Sequence, residues 1–157
     1  MRHIIQALVE NKFGVLARIA SLFSARGFNI DSLAVGETQD STISCMTLVV
    51  NAEDERVLEQ IKKQLNKLID VITVVDLTGK QFIDRELLLL KVFKKQDSKQ
   101  KLDELAKDYP LQILGERDDF FIIEVCVDHH TLEHLLGEMK KIGIKELVRT
   151  GKIAITR

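Results

Sequence analysis

The sequence is poor in several residues that mark specialised protein classes. Its 157 residues include no tryptophan, one tyrosine and one proline. With so few aromatic side chains, a base-stacking surface for nucleic acid would depend on phenylalanine alone. The formal net charge of −1 gives no strong attraction to nucleic acid or to an anionic membrane. The composition therefore predicts neither of these partners.

Cysteine and long apolar runs are also scarce. Cys45 and Cys126 are too far apart to indicate a metal knuckle or a disulfide framework, and their apolar surroundings predict buried thiols. No apolar run approaches the roughly 20 residues that span a bilayer. Charged residues at Glu10 and Lys12 follow the first apolar stretch too early for a signal peptide. Since 45% of the residues are hydrophobic and 30% charged, we expect a soluble, folded, cytoplasmic protein.

Apolar periodicity predicts the order β-α-β-β-α-β in the first half of the chain. Acidic residues between Ala52 and Glu55 suit the start of the second helix, whose apolar stripe extends to Ile69. The strands are predicted at 3–9, 28–37, 42–50 and 71–77, with a first helix from Gly14 to Gly27, where a left-handed glycine ends it. Simple alternation along 28–37 predicts that Ile30 and Leu33 point to opposite faces.

The same order repeats in the second half. Strands are predicted at 85–94, 111–115, 120–127 and 144–156, the last interrupted near Thr150 and Gly151, and helices at 97–108 and 131–142. Asp97 and Ser98 suit a helix cap. The fold class is therefore predicted as α+β, with two tandem ferredoxin-like βαββαβ domains at residues 1–78 and 79–157.

Motifs that carry catalysis are missing from the sequence. It contains no phosphate-binding loop, nucleotide-binding glycine motif, nucleophile elbow or zinc-protease motif. His130 and His134 have helical spacing for a shared metal, but with no third ligand they are better interpreted as solvent-facing. We predict neither catalytic residues nor metal ligands.

The first strand-to-helix loop is the best candidate for a binding site. Free N–H groups at a helix start bind carboxylates, and Gly14 lets a ligand approach the backbone. The Asn11 amide suits a charged group, and Val15 and Leu16 offer apolar surface. Asn29 and Ile30 repeat this polar and apolar pairing, so the set suits a small aliphatic amino acid. The residues alone favour a simpler interpretation, in which Asn11 and Gly14 only form a turn and a cap.

The stretch from Glu10 to Val35 reads E-N-x-x-G-V-L-x-R-I-x-x-L-F-S-x-R-G-F-N-I-D-S-L-x-V. It resembles the ACT domain, a regulatory module, and more narrowly the small, regulatory subunit of acetohydroxyacid synthase, also called acetolactate synthase. The resemblance is weak between residues 93 and 141, and Cys45 stands where the family usually has arginine. Further similar stretches lie at 58–68, 71–77, 85–87 and 143–152.

The resemblance implies a regulatory homodimer without catalytic residues of its own. Its partner would be a separate catalytic subunit that carries thiamine diphosphate, FAD and Mg and makes precursors of branched-chain amino acids such as valine and isoleucine. The small subunit would raise that activity and confer feedback inhibition by valine. The family's valine site corresponds to Asn11, Gly14, Val15 and Leu16 of one protomer with Asn29, Ile30 and Val35 of the other.

Two other functions stay open at this point. An ACT protein could regulate another enzyme or transcription, although no helix-turn-helix with a basic recognition helix is visible. A metal-responsive or RNA-binding ferredoxin-like module would need a ligand cluster or an aromatic RNA-binding pattern, and the sequence shows neither.

Overall fold

The computed structural model describes residues 2–51 and 55–157, which fall into two compact units. The first unit runs up to Ile83 and also includes Lys152–Arg157, and the second unit is Asp84–Gly151. Each unit has an antiparallel sheet and two helices, which confirms the predicted α+β class with βαββαβ order. The prediction from sequence assigned residues 79–83 and 152–157 to the second domain, whereas their contacts are with the first unit.

The first unit has a four-stranded sheet in the order β2-β3-β1-β4, so that β2 and β4 form its edges. Residues 52–54 of the predicted acidic helix start lie outside the described residues. The strands are β1 (Arg2–Glu10), β2 (Ile30–Glu37), β3 (Ile43–Asn51) and β4 (Val71–Asp76), and the helices are α1 (Val15–Ser24) and α2 (Glu55–Leu65).

The core of the first unit lies between the helices and one face of the sheet. Alternate residues of β1, such as Ile5 and Ala7, meet the apolar stripe of α1 there, because strand side chains alternate between faces. The apolar stripe of α2 was predicted to extend to Ile69, and this is wrong because Ile69 is 95% exposed. The helix stops at Leu65, and tighter i→i−3 bonds such as Leu68 N to Leu65 O replace the α-helical pattern.

Strand β2 also departs from the simple alternation predicted for it. Its pairing with β3 shifts register between Ile30 and Ser32, so one extra residue stands on the β2 side. This bulge places Ile30 on the same face as Leu33, and both pack against the core. The prediction that they point to opposite faces is therefore wrong.

The second unit has its own sheet, in the order β6-β7-β5-β8, with both helices packed against one face. Cys126 is exposed, which contradicts its predicted burial, because it follows Val125 of the core and so points to the opposite face. The elements are β5 (Phe82–Phe93), α3 (Ser98–Asp108), β6 (Leu111–Glu116), β7 (Phe120–Val127), α4 (His129–Ile142) and β8 (Ile144–Arg149).

A last strand, β9 (Ile153–Thr156), belongs to the first unit and pairs with β5. It covers the face of the first sheet that the helices leave open. Ala154 is buried there beside Ile4 and Val49, and the Ala154 carbonyl accepts a hydrogen bond from Gln6 Nε2 at 2.9 Å. The predicted interruption near Thr150 and Gly151 is the point where β8 ends and the chain turns toward β9.

Candidate ligand-binding site

The turn between β1 and α1 leaves the start of the helix open. Gly14 is the N-cap residue of α1, with a left-handed backbone (φ 81°) that glycine adopts without strain. It has no side chain to cap the helix, and the first turn carries no acidic residue. The first N–H groups of the helix, including that of Leu16, therefore have no partner within the helix and can receive an anion.

Arg18 lies against this turn. A Cβ added to Gly14 would lie 3.1 Å from Arg18 Nη1, a tight contact that a small shift of the Arg18 side chain would relieve, so the backbone conformation is what favours glycine here. The guanidinium is held by Asp70, with Nε–Oδ2 at 2.8 Å and Nη2–Oδ2 at 2.7 Å. Asp70 is only 8% exposed, and its carbonyl accepts from Glu10 N at 2.8 Å, which joins the α2–β4 loop to the end of β1.

This ion pair was not predicted from the sequence. Arg18 is one position of the motif between Glu10 and Val35, and Asp70 lies 52 residues further along the chain. No local spacing connects two such residues.

Asn11 is fixed by three hydrogen bonds at the other side of the turn. Its backbone N–H donates to Thr42 O at 2.7 Å, and Nδ2 donates to Glu37 Oε1 at 3.0 Å and Ser41 O at 2.9 Å. Both amide hydrogens are thus used, whereas no donor to Oδ1 is found among the described residues. That oxygen can accept from an ammonium group. Sequence reasoning did not identify Glu37 as the residue that orients Asn11.

The two apolar residues of the loop differ in burial. Val15 is 4% exposed and belongs to the core of the first unit, whereas Leu16 is 47% exposed. Only Leu16 therefore presents its side chain to a ligand from this loop, and the Val15 N–H already donates to Lys12 O at 3.3 Å.

A single copy of the chain does not bring the two predicted groups of site residues together. Glu10, next to Asn11, pairs with Ile43 at one end of β3, whereas Ile30 pairs with Val50 near the other end. Asn29 bonds locally, through Nδ2 to Asp31 Oδ1 at 2.8 Å. One copy therefore keeps Asn29 and Ile30 away from the Gly14 turn.

Edge strand β2 carries the remaining predicted residue. Val35 is 46% exposed, although the residue opposite it on β3, Met46, is buried. No strand among the described residues pairs with the outer edge of β2. Cys45 lies opposite Gly36 in this hairpin, and partial burial raises the pKa of its thiol, which keeps the thiol protonated at neutral pH.

Metal-binding geometry is not found in the described part of the chain. Residues 2–51 and 55–157 contain no group of three or more His, Cys, Asp and Glu side chains placed to hold an ion. His130 and His134 are exposed neighbours on α4 with ring centroids 4.9 Å apart. Among the helices described here, none is both long enough and apolar enough to cross a membrane.

Comparison with known proteins gives family matches in both halves of the chain. Residues 5–73 match the family of the AHAS small subunit-like ACT domain, and residues 85–157 match the family of the small subunit of acetolactate synthase. The probable acetolactate synthase small subunit of Archaeoglobus fulgidus is 46% identical, over 100% of this chain and 98% of that protein. The acetolactate synthase small subunit of Bacillus subtilis is 37% identical, over 100% of this chain and 91% of that protein.

A solved structure extends the comparison to three dimensions. The crystal structure of the acetolactate synthase small subunit from Thermotoga maritima is similar with a TM-score of 0.89 and 32% identity, covering 100% of this chain and 98% of that chain. The resemblance predicted from the sequence is thereby confirmed, and the chain belongs to the family of acetolactate synthase small, regulatory subunits.

Proposed function

We propose that this chain senses valine and adjusts the activity of a separate acetolactate synthase catalytic subunit. It raises that activity when valine is scarce and lowers it when valine binds. The observation that carries the proposal is the uncapped N-terminus of α1 at Gly14, in a chain of this family. Family membership favours this target over another enzyme or a transcription complex.

Each part of the amino acid has a matching group at the site. The carboxylate meets the N–H groups at the start of α1, and the ammonium group meets Asn11 Oδ1. The isopropyl group packs on Leu16 and, from a second copy, on Ile30 and Val35, while Asn29 adds a polar contact. Burying such a side chain contributes roughly 1.5–3 kcal/mol.

The proposed dimer forms through the outer edge of β2. An open sheet edge offers unpaired N–H and C=O groups, and pairing two copies removes it. A two-fold axis then makes two equivalent pockets, each built from both copies. Valine favours one arrangement of the dimer, and it affects the catalytic subunit only if that subunit distinguishes between the arrangements.

The chemistry itself is assigned to the partner. The catalytic subunit holds thiamine diphosphate, FAD and Mg, and this chain contributes regulation without catalytic residues of its own. The Gly14 turn therefore affects turnover only through the partner subunit.

Reconstitution with the catalytic subunit tests the proposal. Gly14→Asp places a carboxylate over the N–H groups that the ligand needs, and its Cβ crowds Arg18. We expect inhibition by valine to be lost while activation of the catalytic subunit is retained. Gly79→Asp is the matched control, since Gly79 is also left-handed (φ 77°) but an added Cβ there meets no atom within 4 Å. Unchanged inhibition in Gly14→Asp would refute the site.

A further inference from the structure

We infer that Arg18 is a specificity-determining residue of this site and that its guanidinium recognises the free carboxylate of the amino acid. The inference rests on the proposed function, because it concerns the same ligand. It adds a charged side chain to a site that otherwise binds the acidic end through the backbone alone.

The position of Arg18 follows from helix geometry. Long side chains on an α-helix point back toward its N-terminus, and Arg18 is one turn from Gly14, as the bond from Arg18 N to Gly14 O at 3.0 Å shows. Its Nη1 therefore lies over the turn, 3.1 Å from the point where a Cβ of residue 14 would lie. The Arg18 side chain is 49% exposed, so a ligand can reach it.

Asp70 sets the direction in which the guanidinium presents its free donors. The Nε and Nη2 groups of Arg18 are both directed at Asp70 Oδ2. Nη1 has no acceptor among the described residues and carries two hydrogens on the side that faces the Gly14 turn. The ion pair therefore holds the guanidinium in place while leaving one edge of it for a ligand.

Electrostatics add to this arrangement. The N-terminal end of a helix carries a partial positive charge, and α1 has no acidic residue in its first turn to offset it. A carboxylate at Gly14 would lie between backbone N–H groups and the guanidinium. Hydrogen bonds between charged groups are shorter and stronger than those between neutral groups, so the site should select amino acids over their amides or alcohols.

Calorimetric titration of the full chain with valine tests the inference. We expect Arg18→Gln to weaken binding about tenfold or more, the loss typical of one hydrogen bond between charged groups. Arg18→Lys, which keeps the charge, should recover much of the affinity. Added salt should weaken valine binding to the unsubstituted chain more than to Arg18→Gln, because salt screens a charge interaction that only the unsubstituted chain makes.

Two further variants separate recognition from folding. Arg26→Gln removes a surface arginine that bonds to Gln64 in the same unit, and it should bind valine normally. Arg18→Gln combined with Asp70→Asn removes the buried unpaired carboxylate that the single substitution leaves behind. The double variant should still bind weakly.

The outcomes distinguish the inference from the proposed function. Arg18 would have only a structural role if Arg18→Gln bound as tightly as the unsubstituted chain. The same conclusion would follow if Arg18→Gln and Arg18→Lys bound valine equally weakly, and if added salt weakened their binding as much as it weakens binding to the unsubstituted chain. If the unsubstituted chain bound neither valine, leucine nor isoleucine, the proposed function itself would fall, and the role of Arg18 with it.

Discussion

Glu86 is a charged side chain buried in the second unit, where it is 2% exposed. Arg149 reaches both of its carboxylate oxygens, with Nη2–Oε2 at 2.7 Å. The hydrogen bond to Glu86 raises the pKa of Arg149, so the guanidinium stays charged throughout the accessible pH range. A buried carboxylate of this kind depends on its partner, because an unpaired charge in the interior is costly.

Removing Arg149 should therefore destabilise the second unit strongly. We expect Arg149→Met to lower the free energy of unfolding by about 3–5 kcal/mol, measured by urea denaturation of the full chain. Lys141→Met is the matched control, because its pair with Glu138 is exposed and such pairs contribute about 0.5 kcal/mol or less. Glu86→Met with Arg149→Met should regain most of the stability. Equal losses in the single variant and the control would show that the pair is not a stabilising contact.

Single residues could be predicted from sequence where a local rule applies. Gly27 was predicted as a left-handed helix stop, and its φ of 71° with the bond from Phe28 N to Phe23 O confirms this. The Arg18–Asp70 and Arg149–Glu86 pairs were not predicted. Their partners lie 52 and 63 residues apart, and a single sequence carries no signal of such pairing.

At the scale of elements, the helices of the second unit begin in two different ways. Asp128 caps α4, with Oδ1 accepting from Thr131 N at 3.0 Å. Asp97 stands at the same place before α3 but makes no such bond, and Ser98 instead donates to Phe93 O at 2.9 Å. We expect Asp128→Ala to cost about 1 kcal/mol of unfolding free energy and Asp97→Ala clearly less, as thermal unfolding would show. Equal effects would mean that the α4 cap is not stabilising.

The same cap predicts a pH dependence. Hydrogen bonds from Thr131 hold the pKa of Asp128 below its usual value of 3.8. A carboxylate whose pKa is lowered on folding contributes stability above the unfolded pKa, and this is lost as pH falls through the folded pKa. As the pH falls below about 3.8, Asp128→Asn should therefore lose less unfolding free energy than the unsubstituted chain. A parallel acid titration of the two proteins would contradict this assignment.

Strand β9 should contribute to the first unit through Ala154. That residue is 9% exposed beside Ile4 and Leu77, whereas Ile155 on the same strand is 65% exposed. Ala154→Asp buries a charge without a partner, and we expect it to lower the unfolding temperature by several degrees. Ile155→Asp places the same charge in solvent and should change the unfolding temperature little. Similar shifts in both variants would contradict the packing of this strand on the sheet.

Element order was predictable because apolar periodicity identifies each helix and strand by itself. The exceptions arise where a backbone detail overrides periodicity. The bulge before Ser32 turns Ile30 to the same face of β2 as Leu33. The i→i−3 bonds after Leu65 end α2 before the predicted apolar stripe ends at Ile69. The return of β9 to the first unit is a contact between distant parts of the chain, which periodicity does not encode.

At the scale of the whole molecule, one copy of the chain keeps the two groups of predicted site residues apart. Asn11 and Asn29 lie near opposite ends of the first sheet, and β2 between them has an outer edge without a partner in the described residues. The family resemblance predicted the division of the site between two protomers. The residues alone favoured a turn and a cap, because a local pattern carries no information about contacts with a second copy.

Valine should therefore strengthen the association of two copies. A ligand that binds only the dimer stabilises it by RT ln(1 + [L]/Kd), about 2.7 kcal/mol for each site when valine is at one hundred times its Kd. Sedimentation velocity near the dimer dissociation constant should show a shift from monomer to dimer when valine is added. Glutamate, whose charged side chain does not suit Leu16 and Ile30, should leave the distribution unchanged, as should valine added to Gly14→Asp. Tight valine binding to a monomer with no change in association would show that one copy alone forms the site.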